Sequence, residues 1–279
     1  MLIKDYNLSK EELTRYSRNI FLKEIGKEGQ LELKKSSVLV IGAGGLGSPL
    51  LYYLASIGVG NIIFIEYDKV DLTNLQRQIL YKTEDIGKEK AFVAKHTLKK
   101  LNPEINIQEI NEKLTPHNAF DIIKNIDLVI DGSDNFPTRF LVNDVCFFKN
   151  IPLISGGVLQ FYGMIMGIIP GKTPCYRCLF ERPPEVVENC STVGVLGAMV
   201  GVTGSYMAVE SIKFLLNIQP NIMGKLVRID ALTMEFRITD LPRNDSCLIC
   251  SSDPLIKKFN PKLSDYYEVC NSLPSFLKE

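Results

Sequence analysis

Four glycines within six residues form the part of the sequence best suited to bind an anion. Gly42, Gly44, Gly45 and Gly47 directly follow a β-branched apolar run at 38–41, and apolar residues at helical spacing come after them. This order predicts a buried parallel strand, a tight turn and the start of a helix. Because glycine lets the backbone approach a ligand closely and a helix N-terminus presents free N–H groups, such a turn binds phosphate.

An acidic residue follows the turn at the distance expected for a nucleotide site. Glu66 ends an apolar run, roughly 20 residues after the glycines, where a carboxylate can accept hydrogen bonds from ribose hydroxyls. The alternative is a glycine turn that serves only the close packing of a helix against a strand. Strand, turn, helix and acidic residue occur in order, and this favours a nucleotide-binding site.

Fixed charges, rather than groups that transfer protons, accompany this predicted site. Arg18, Arg77 and Lys90 are cations that could bind phosphates, and Asp134 is a carboxylate suited to a metal ion. The chain has only two histidines, and we expect both to be exposed. Hydride transfer usually requires an acid–base residue, whereas phosphoryl or nucleotidyl transfer requires charges that position and neutralise anions. The residues favour the second chemistry, although each one alone is also typical of a solvated surface.

Two Cys-x-x-Cys motifs lie far apart in the sequence. Cys175 and Cys178 form the first motif, and Cys247 and Cys250 form the second. Together they offer the four thiolates of a tetrahedral Zn²⁺ site, and four sulfur ligands leave no open position for water. A redox disulfide needs only one such motif, beside the start of a βαβ unit, and neither motif lies there. The spacing therefore predicts a structural zinc site that joins the C-terminal strands to the middle of the chain.

The other cysteines are less informative. Cys190 precedes a predicted helix start, whose dipole would lower the pKa of the thiol, so a reactive thiol and an ordinary loop cysteine are both open interpretations. Cys146 falls among apolar residues of a predicted helix and is expected in the core.

The first half of the chain predicts alternating helices and strands that would place these residues. Ser9 and Glu12 form a capping-box pattern at the start of an amphipathic helix. We predict a loop with a short helix at 68–78, helices at 88–101 and 136–149, and strands at 106–110, 126–130 and 152–155. The polar residues 131–135 follow a buried strand, so they are expected to line the ligand crevice of an open α/β sheet.

The second half predicts a different arrangement. Strands are expected at 158–161, 163–169, 226–230 and 234–238, with one helix at 194–216 and a cysteine-bearing loop at 174–190 that crosses the surface. The predicted fold class is α/β: a Rossmann-like, mostly parallel sheet continued by antiparallel strands, with a structural zinc site.

These elements predict one domain over residues 1–250, followed by a tail. It would contain N-terminal helices at 9–35, a nucleotide-binding half at 36–155 and an antiparallel, zinc-binding half at 156–250. Residues 251–279 are expected to form a loosely attached C-terminal tail.

Composition narrows the class of protein further. The 279 residues contain 32 basic and 32 acidic side chains, so no overall charge favours binding to nucleic acid or to an anionic membrane. The uncharged stretch 193–209 is too short and too rich in glycine for a transmembrane helix, and the N-terminus does not resemble a secretory signal. Seven cysteines without such a signal favour a reducing cytoplasm, where paired cysteines are expected to bind metal rather than to form disulfides.

Seven motifs are spread over nearly the whole chain. They are Arg15-Tyr-Ser-Arg18, Gly26-Lys-Glu-Gly-Gln30, Gly42-Ala-Gly-Gly-Leu-Gly47, Asn74-Leu-Gln-Arg-Gln78, Gly87-Lys-Glu-Lys90, Asp131-Gly-Ser-Asp-Asn135 with Thr138-Arg139, and Pro174-Cys-Tyr-Arg-Cys178. Together they resemble the ThiF/MoeB/HesA family, the ubiquitin-activating-enzyme-like adenylyltransferases of sulfur-carrier proteins, from about residue 9 to residue 250. Glu66 departs from the pattern, since the family usually has Asp there; we expect the longer side chain to affect affinity rather than chemistry.

The resemblance implies a mechanism and roles for single residues. ATP would lie on the glycine turn, with Glu66 at the ribose, Arg77 and Lys90 at the phosphates and Mg²⁺ at Asp134. Arg18 would reach the ATP of a neighbouring subunit, so a homodimer is implied. The C-terminal carboxylate of a small β-grasp carrier ending in Gly-Gly would attack the α-phosphorus and give an acyl-adenylate and pyrophosphate. Such a carboxylate is already ionised, at a pKa of roughly 3.5, so no general base is needed.

The resemblance leaves some roles and partners open. It implies that Asn74 also binds the nucleotide, and it leaves undecided whether Cys190 bonds covalently to the carrier. The carrier could serve molybdopterin or thiazole synthesis. Because no rhodanese domain is recognised after residue 250, we expect a separate protein to deliver sulfur. Two other hypotheses remain: an NAD-dependent oxidoreductase, and a non-catalytic subunit that docks a ubiquitin-like protein.

Overall fold

The computed structural model describes residues 7–183 and 193–267, and within them eight strands form one sheet. The strands are β1 (Ser37–Ile41), β2 (Asn61–Ile65), β3 (Asn106–Ile110), β4 (Leu128–Asp131), β5 (Leu153–Leu159), β6 (Tyr162–Ile168), β7 (Lys225–Asp230) and β8 (Glu235–Asp240). Their order across the sheet is β3-β2-β1-β4-β5-β6-β7-β8. The pairs from β3 to β5 are parallel, and those from β5 to β8 are antiparallel. The predicted α/β fold class is confirmed.

Helices cover both faces of this sheet. They are α1 (Lys10–Arg15), α2 (Ser17–Ile20), α3 (Gly26–Lys35), α4 (Gly47–Ile57), α5 (Lys90–Leu101), α6 (Ala119–Ile122), α7 (Phe136–Lys149), α8 (Tyr176–Leu179) and α9 (Gly197–Leu215). Short 3₁₀ helices occur at Leu72–Asn74, Thr83–Asp85 and Ser264–Tyr266. No helix in the described residues is both long enough and apolar enough to cross a bilayer.

The sheet separates two apolar cores because successive side chains of a strand point to opposite faces. On β1, Val38 and Val40 pack with residues of α3, α4, α5 and α9. Leu39 and Ile41 pack instead with α6, α7 and the cysteine-rich segments. The central strands are apolar on both faces, as expected for a parallel sheet covered by helices on each side.

The strand order reverses next to β1, which has β2 on one side and β4 on the other. The carboxyl ends of β1 and β4 therefore border a crevice at the switch point, where ligands bind in this class of fold. The loop after β1 leads into α4, and the loop after β4 leads into α7. Asn135 caps α7 by accepting a hydrogen bond from the Thr138 amide (2.9 Å), so the helix start fixes the loop beside it.

The N-terminal helix predicted from Ser9 onward begins as expected but is not continuous. The Ser9–Glu12 capping box is present, with N–O distances of 2.7 and 3.1 Å. The helix breaks at Tyr16, which separates α1 from α2. Tyr16 is buried, and Asn102 donates a hydrogen bond to its hydroxyl (2.8 Å). The helix is therefore interrupted at the residue whose ring is buried in the protein.

Several predicted boundaries of helices and strands were wrong. The predicted strands at 152–155 and 158–161 are one strand, β5, which passes through Gly156 and Gly157 without a break. The helix predicted from 194 begins at Gly197, because Gly194 has a positive φ of 79°. The strand predicted at 126–130 begins only at Leu128.

The predictions of a surface loop at 174–190 and a loosely attached tail were also wrong for the parts that the structure describes. Tyr176 and Arg177 are buried in α8. Asp265 and Tyr266 are buried too. Arg177 donates a hydrogen bond to Asp265, and Tyr266 donates one to the buried Asp144. These long-range contacts hold the segment up to residue 267 against the domain.

Candidate active site

The glycine turn closes tightly at the end of β1. Gly42 has a φ of 85°, and a Cβ on Gly47 would lie 2.0 Å from the Gly42 carbonyl oxygen. Side chains are therefore excluded at both positions, one by backbone conformation and the other by backbone contact. The turn forms part of the wall of a cavity of about 190 Å³ at the switch point.

Ala43, in the middle of the turn, is held from two sides. Glu66 Oε2 accepts a hydrogen bond from the Ala43 amide (3.1 Å), and the hydroxyl of buried Tyr81 donates to the Ala43 carbonyl (2.8 Å). Burial raises the pKa of Tyr81 well above its ordinary value, so the hydroxyl keeps its proton and remains a donor. The sequence did not single out Tyr81, because its partner is 38 residues away.

Glu66 lies in the cavity wall, but most of its hydrogen-bonding capacity is already used. Its Oε1 accepts from the amides of Tyr67 (2.8 Å) and Asp68 (3.0 Å), and its Oε2 accepts from Ala43. One acceptor position on Oε2 remains for a ligand hydroxyl. The residue that was predicted to bind ribose thus also shapes the glycine turn.

Lys90 and Arg77 both face this cavity. Lys90, the first residue of α5, has only 4% of its side chain exposed, and its Nζ lies 3.3 Å from Asp68 Oδ2. Arg77 is half-buried and donates to the Thr73 carbonyl (3.1 Å). A nearly buried ammonium with a single, long ion pair is poised to bind a further anion, since burying a charge without full compensation is costly.

Asp134 is the exposed carboxylate at the rim of the cavity. Its only hydrogen bond with another described residue is a long contact of 3.5 Å from the side chain of Asn135. A carboxylate in this position is available to an oxygen-coordinated cation such as Mg²⁺.

Two predicted site residues lie elsewhere. Asn74 ends a 3₁₀ helix near Arg77 but is absent from the cavity wall. Arg18 is exposed on α2 and is also absent from the wall. His96 and His117 are exposed as predicted. Cys190 lies outside the described residues.

Arg139 is the main site residue that the sequence reasoning missed. Its guanidinium donates to the Ser133 carbonyl (2.9 Å), its Nε is buried without a hydrogen-bond partner, and Asp131 supplies a buried opposite charge nearby. Burial opposes the charge of Arg139, but Tyr176 and Asp131 outweigh this effect and raise the pKa of the guanidinium. Arg139 stands in one of the motifs that carry the resemblance, five residues after Asp134, which was the available signal.

A second, larger cavity of about 450 Å³ adjoins the first. It is a groove across the face of β5, β6, β7 and β8, and we call it the sheet groove; its wall includes Gly157, Leu159, Tyr162, Met164, Arg228 and Arg237. Asp134 and Arg139 line both cavities. The two cavities therefore meet at one carboxylate and one guanidinium, and Val158 also lines both.

The two Cys-x-x-Cys motifs come together as predicted. The sulfurs of Cys175, Cys178, Cys247 and Cys250 lie within 4.8 Å of one another, with 3.6 Å between Cys175 and Cys247 and 3.3 Å between Cys178 and Cys250. Four mutually close thiols in a mostly buried pocket suit a tetrahedral Zn²⁺ ion. Cys146 is buried in the core, as expected.

A buried charge network attaches the first cysteine motif to α7 and to the C-terminal segment. Arg177 donates three hydrogen bonds to Asp144 (2.8 to 3.0 Å) and one to Asp265 (2.8 Å). Tyr266 donates to Asp144 (2.7 Å), and the guanidinium lies 4.8 Å from the centre of the Phe140 ring. The side chains of Arg177 and Asp144 are fully buried.

Fold and site together define an α/β protein with a glycine turn and two cations around a cavity at the switch point of its sheet. The model of the ThiF family matches residues 16–249, and the chain belongs to this family. It is 44% identical to the sulfur carrier protein adenylyltransferase of Thermus thermophilus, over 94% of this chain and 98% of that protein. It is 41% identical to the SAMP-activating enzyme E1 of Haloferax volcanii, over 88% of this chain and 91% of the relative.

Longer relatives and solved structures agree with this assignment. The Adenylyltransferase and sulfurtransferase MOCS3 of Anopheles gambiae is 43% identical over 94% of this chain, which spans only 59% of that protein. The crystal structure of E. coli MccB with ATP matches with a TM-score of 0.75 and 27% identity, over 88% of this chain and 76% of MccB. The complex of MccB with MccA-N7isoASN matches with a TM-score of 0.77 and 26% identity, over 89% and 77% of the two chains.

Proposed function

We propose that this protein uses ATP to adenylate the C-terminal glycine of a small ubiquitin-like sulfur carrier. The observation that carries the proposal is the junction of two cavities at Asp134 and Arg139. One cavity has the glycine turn and cations of a nucleotide site. The other is an open groove of about 450 Å³ that adjoins the first cavity, and an extended chain terminus lying in it would bring a carboxylate to the α-phosphate.

The residues of the first cavity suit the stabilisation of anions. The glycine turn and Glu66 would hold the nucleotide, and Lys90 and Arg77 would neutralise the phosphates. A carboxylate oxygen of the carrier attacks the α-phosphorus, the bond to the bridging oxygen of pyrophosphate breaks, and no proton is transferred. Mg²⁺ held by Asp134 would neutralise charge on the pyrophosphate. Because this step transfers no proton, the site needs fixed cations that neutralise charge and needs no histidine.

Arg139 has a role that differs from that of Lys90. Its guanidinium lies against Gly157 on β5, where an added Cβ would meet the Arg139 Nη1 at 2.7 Å. It therefore occupies the boundary between the sheet groove and the nucleotide cavity. From there it would position the terminal carboxylate of the carrier rather than the phosphates.

The four cysteines would hold a structural Zn²⁺ ion. Their donor set is complete without water, and they connect two segments that are 72 residues apart in sequence. The ion would act on stability and would leave the chemistry to the other residues.

A homodimer is the proposed assembly. Arg18 lies on an exposed surface next to the exposed apolar residues Phe21 and Leu22, and such a cluster is typical of an interface. A symmetric dimer would bring Arg18 of each subunit to the nucleotide of the other. Subunit mixing tests this arrangement: Arg18→Ala and Lys90→Ala variants should each be inactive. An equimolar mixture that has exchanged subunits should recover about a quarter of the wild-type activity, because about half of the dimers are mixed and each of these has one complete site of two. No recovery after verified exchange of subunits would refute it.

The function itself is tested by magnesium-dependent exchange of labelled pyrophosphate into ATP, in the presence of a carrier ending in Gly-Gly. We expect exchange with the wild type and a loss of at least a hundredfold with Asp134→Asn. Asp121→Asn is the matched control, since Asp121 is exposed on α6, away from both cavities. Carrier-independent exchange, no exchange, or full activity of Asp134→Asn would contradict the proposal. An NAD-dependent oxidoreductase would show no exchange of pyrophosphate into ATP, so observed exchange would also exclude that alternative.

A further inference from the structure

Buried polar atoms without a partner gather around Arg139. Within residues 7–183 and 193–267, five buried side-chain nitrogen or oxygen atoms have no hydrogen-bond partner, and three of them are Arg139 Nε, Ser133 Oγ and the Tyr176 hydroxyl. Ser133 is a direct neighbour, because its carbonyl accepts a hydrogen bond from Arg139. Folded proteins pair nearly all of their buried polar groups, since an unpaired group costs stability. A cluster of unpaired atoms at one guanidinium therefore needs an explanation.

The three nitrogens of this guanidinium have different surroundings. Nη2 donates to the Ser133 carbonyl (2.9 Å), and Nη1 lies beside Gly157 at the sheet groove. Nε is buried without a partner. Because the nitrogens of a guanidinium lie in one rigid plane, an acceptor for Nε would fix the direction in which the two outer nitrogens point.

Tyr176 can supply this acceptor. Its hydroxyl lies close enough to interact with the Arg139 guanidinium, although the two groups do not form a hydrogen bond of ordinary length and angle in this structure. The phenol oxygen of a tyrosine accepts as well as donates. A small rotation of the long arginine side chain would pair both unpaired atoms at once.

The tyrosine ring itself is held firmly. Only 1% of Tyr176 is exposed, and its amide donates to Asn143 Oδ1 (2.8 Å). The ring packs against Phe140 and Phe180, with centroids 5.4 and 5.2 Å away. Tyr176 also lies between the two cysteines of the first motif. A side chain packed on these sides has little freedom to move, so its hydroxyl is a fixed point beside Arg139.

We propose that the Tyr176 hydroxyl positions Arg139 for the reaction, by accepting a hydrogen bond from Nε when the guanidinium binds the terminal carboxylate of the carrier. The inference rests on the function proposed above, which places that carboxylate beside Arg139. Both outer nitrogens would bind the carboxylate, and Nη2 has a second hydrogen for Ser133. The attacking oxygen would thus be held toward the α-phosphorus. Tyr176 lines neither cavity, so it acts through Arg139.

Tyr176→Phe tests this role, because it removes the hydroxyl and keeps the ring. In carrier-dependent pyrophosphate exchange at saturating ATP and carrier, we expect turnover to fall about tenfold or more, since small misplacements of reacting groups can cost about a hundredfold. The KM for ATP should stay the same, because Tyr176 is absent from the wall of the nucleotide cavity. The melting temperature should not fall, because the lost hydroxyl has no hydrogen-bond partner in the fold.

Tyr266→Phe is the matched control. Tyr266 is buried in the same apolar core as Tyr176, but its hydroxyl donates to Asp144 (2.7 Å) and not to a cavity residue. This variant should show the opposite pattern, with a lower melting temperature and the turnover of the wild type.

A second background tests whether Tyr176 acts through Arg139. Arg139→Lys keeps the charge but has carbon in the place of Nε, so adding Tyr176→Phe to it should change turnover by less than about twofold. A further loss of about tenfold in this background would overturn the inference and leave the proposed adenylation intact. The same holds if Tyr176→Phe alone keeps the wild-type turnover, or melts as low as Tyr266→Phe. A wild type inactive with the carrier would instead contradict the proposed function.

Discussion

Replacement of Arg177 by Met should destabilise the protein strongly without touching either cavity. Methionine has a similar length but lacks charge and donors, so the four hydrogen bonds to Asp144 and Asp265 would be lost. Asp144 would then be a fully buried carboxylate without its cation. The bond from Tyr266 and a 2.8 Å bond from Asn143 would be its remaining partners.

The expected cost follows from burial. Removal of one partner of a buried ion pair costs about 3–5 kcal/mol, because the other charge stays desolvated. For a chain of this size, each kcal/mol lowers the melting temperature by about 2–4 °C, so the variant should melt about 6–20 °C below the wild type. This cost is a large share of a typical folding free energy of about 5–15 kcal/mol.

Thermal unfolding followed by circular dichroism measures the effect. Arg237→Met is the control, because its ion pair with Glu235 is half exposed and should contribute less than about 1 kcal/mol. The double variant Arg177→Met with Asp144→Leu should recover part of the loss, since it removes the unpaired charge. A decrease of less than 2 °C for Arg177→Met, or a double variant less stable than the single one, would refute this reasoning.

Three further predictions concern the turn, the acidic residue beside it and alkaline stability. Gly47→Ala should abolish nucleotide binding or folding, since its Cβ would contact backbone at 2.0 Å. Gly201→Ala, with nothing within 4 Å of its Cβ, should instead stabilise α9 by about 0.5–1 kcal/mol. Equal melting temperatures of the two variants would contradict this prediction. Glu66→Asp should raise the KM for ATP about tenfold, because the shorter side chain cannot reach the turn amide, and an unchanged KM would count against it. Burial raises the pKa of Tyr266 above its ordinary value of about 10, so the unfolded chain loses this proton first and stability falls as pH rises beyond 10. Melting curves of Tyr266→Phe between pH 8 and 11 should show a shallower fall, and an identical slope would be evidence against the buried hydroxyl.

The sequence predicted best those elements whose signals are local. The helix at 136–149 and the strand at 106–110 have the predicted bounds, and the glycine turn lies between β1 and α4 as predicted. Hydrophobic periodicity, an asparagine cap and a cluster of glycines determine these features within a few residues. The four cysteines also came together as predicted, since metal-ligand spacing is recognisable without a fold.

Features that depend on distant partners could not be predicted in this way. Arg177 stands between two predicted metal ligands, but its partner Asp265 is 88 residues away and lies in a stretch that reads as a polar tail. Tyr16, at the break between α1 and α2, likewise has a distant partner, Asn102. Nothing in the local sequence distinguishes a buried arginine from an exposed one, because only the three-dimensional fold provides its counter-charges.

Helix α7 links the two chemical features of the molecule. Its cap Asn135 follows Asp134, and Arg139 in its second turn lies at the junction of the two cavities. Further along, Asn143 accepts a hydrogen bond from the Tyr176 amide (2.8 Å) inside the first cysteine motif, and Asp144 binds Arg177 of the same motif. A rigid helix that is anchored at its middle by the cysteine motif cannot shift without moving its start. The cysteine cluster therefore stabilises the orientation of the groove and cavity residues, although none of its four cysteines lines either cavity.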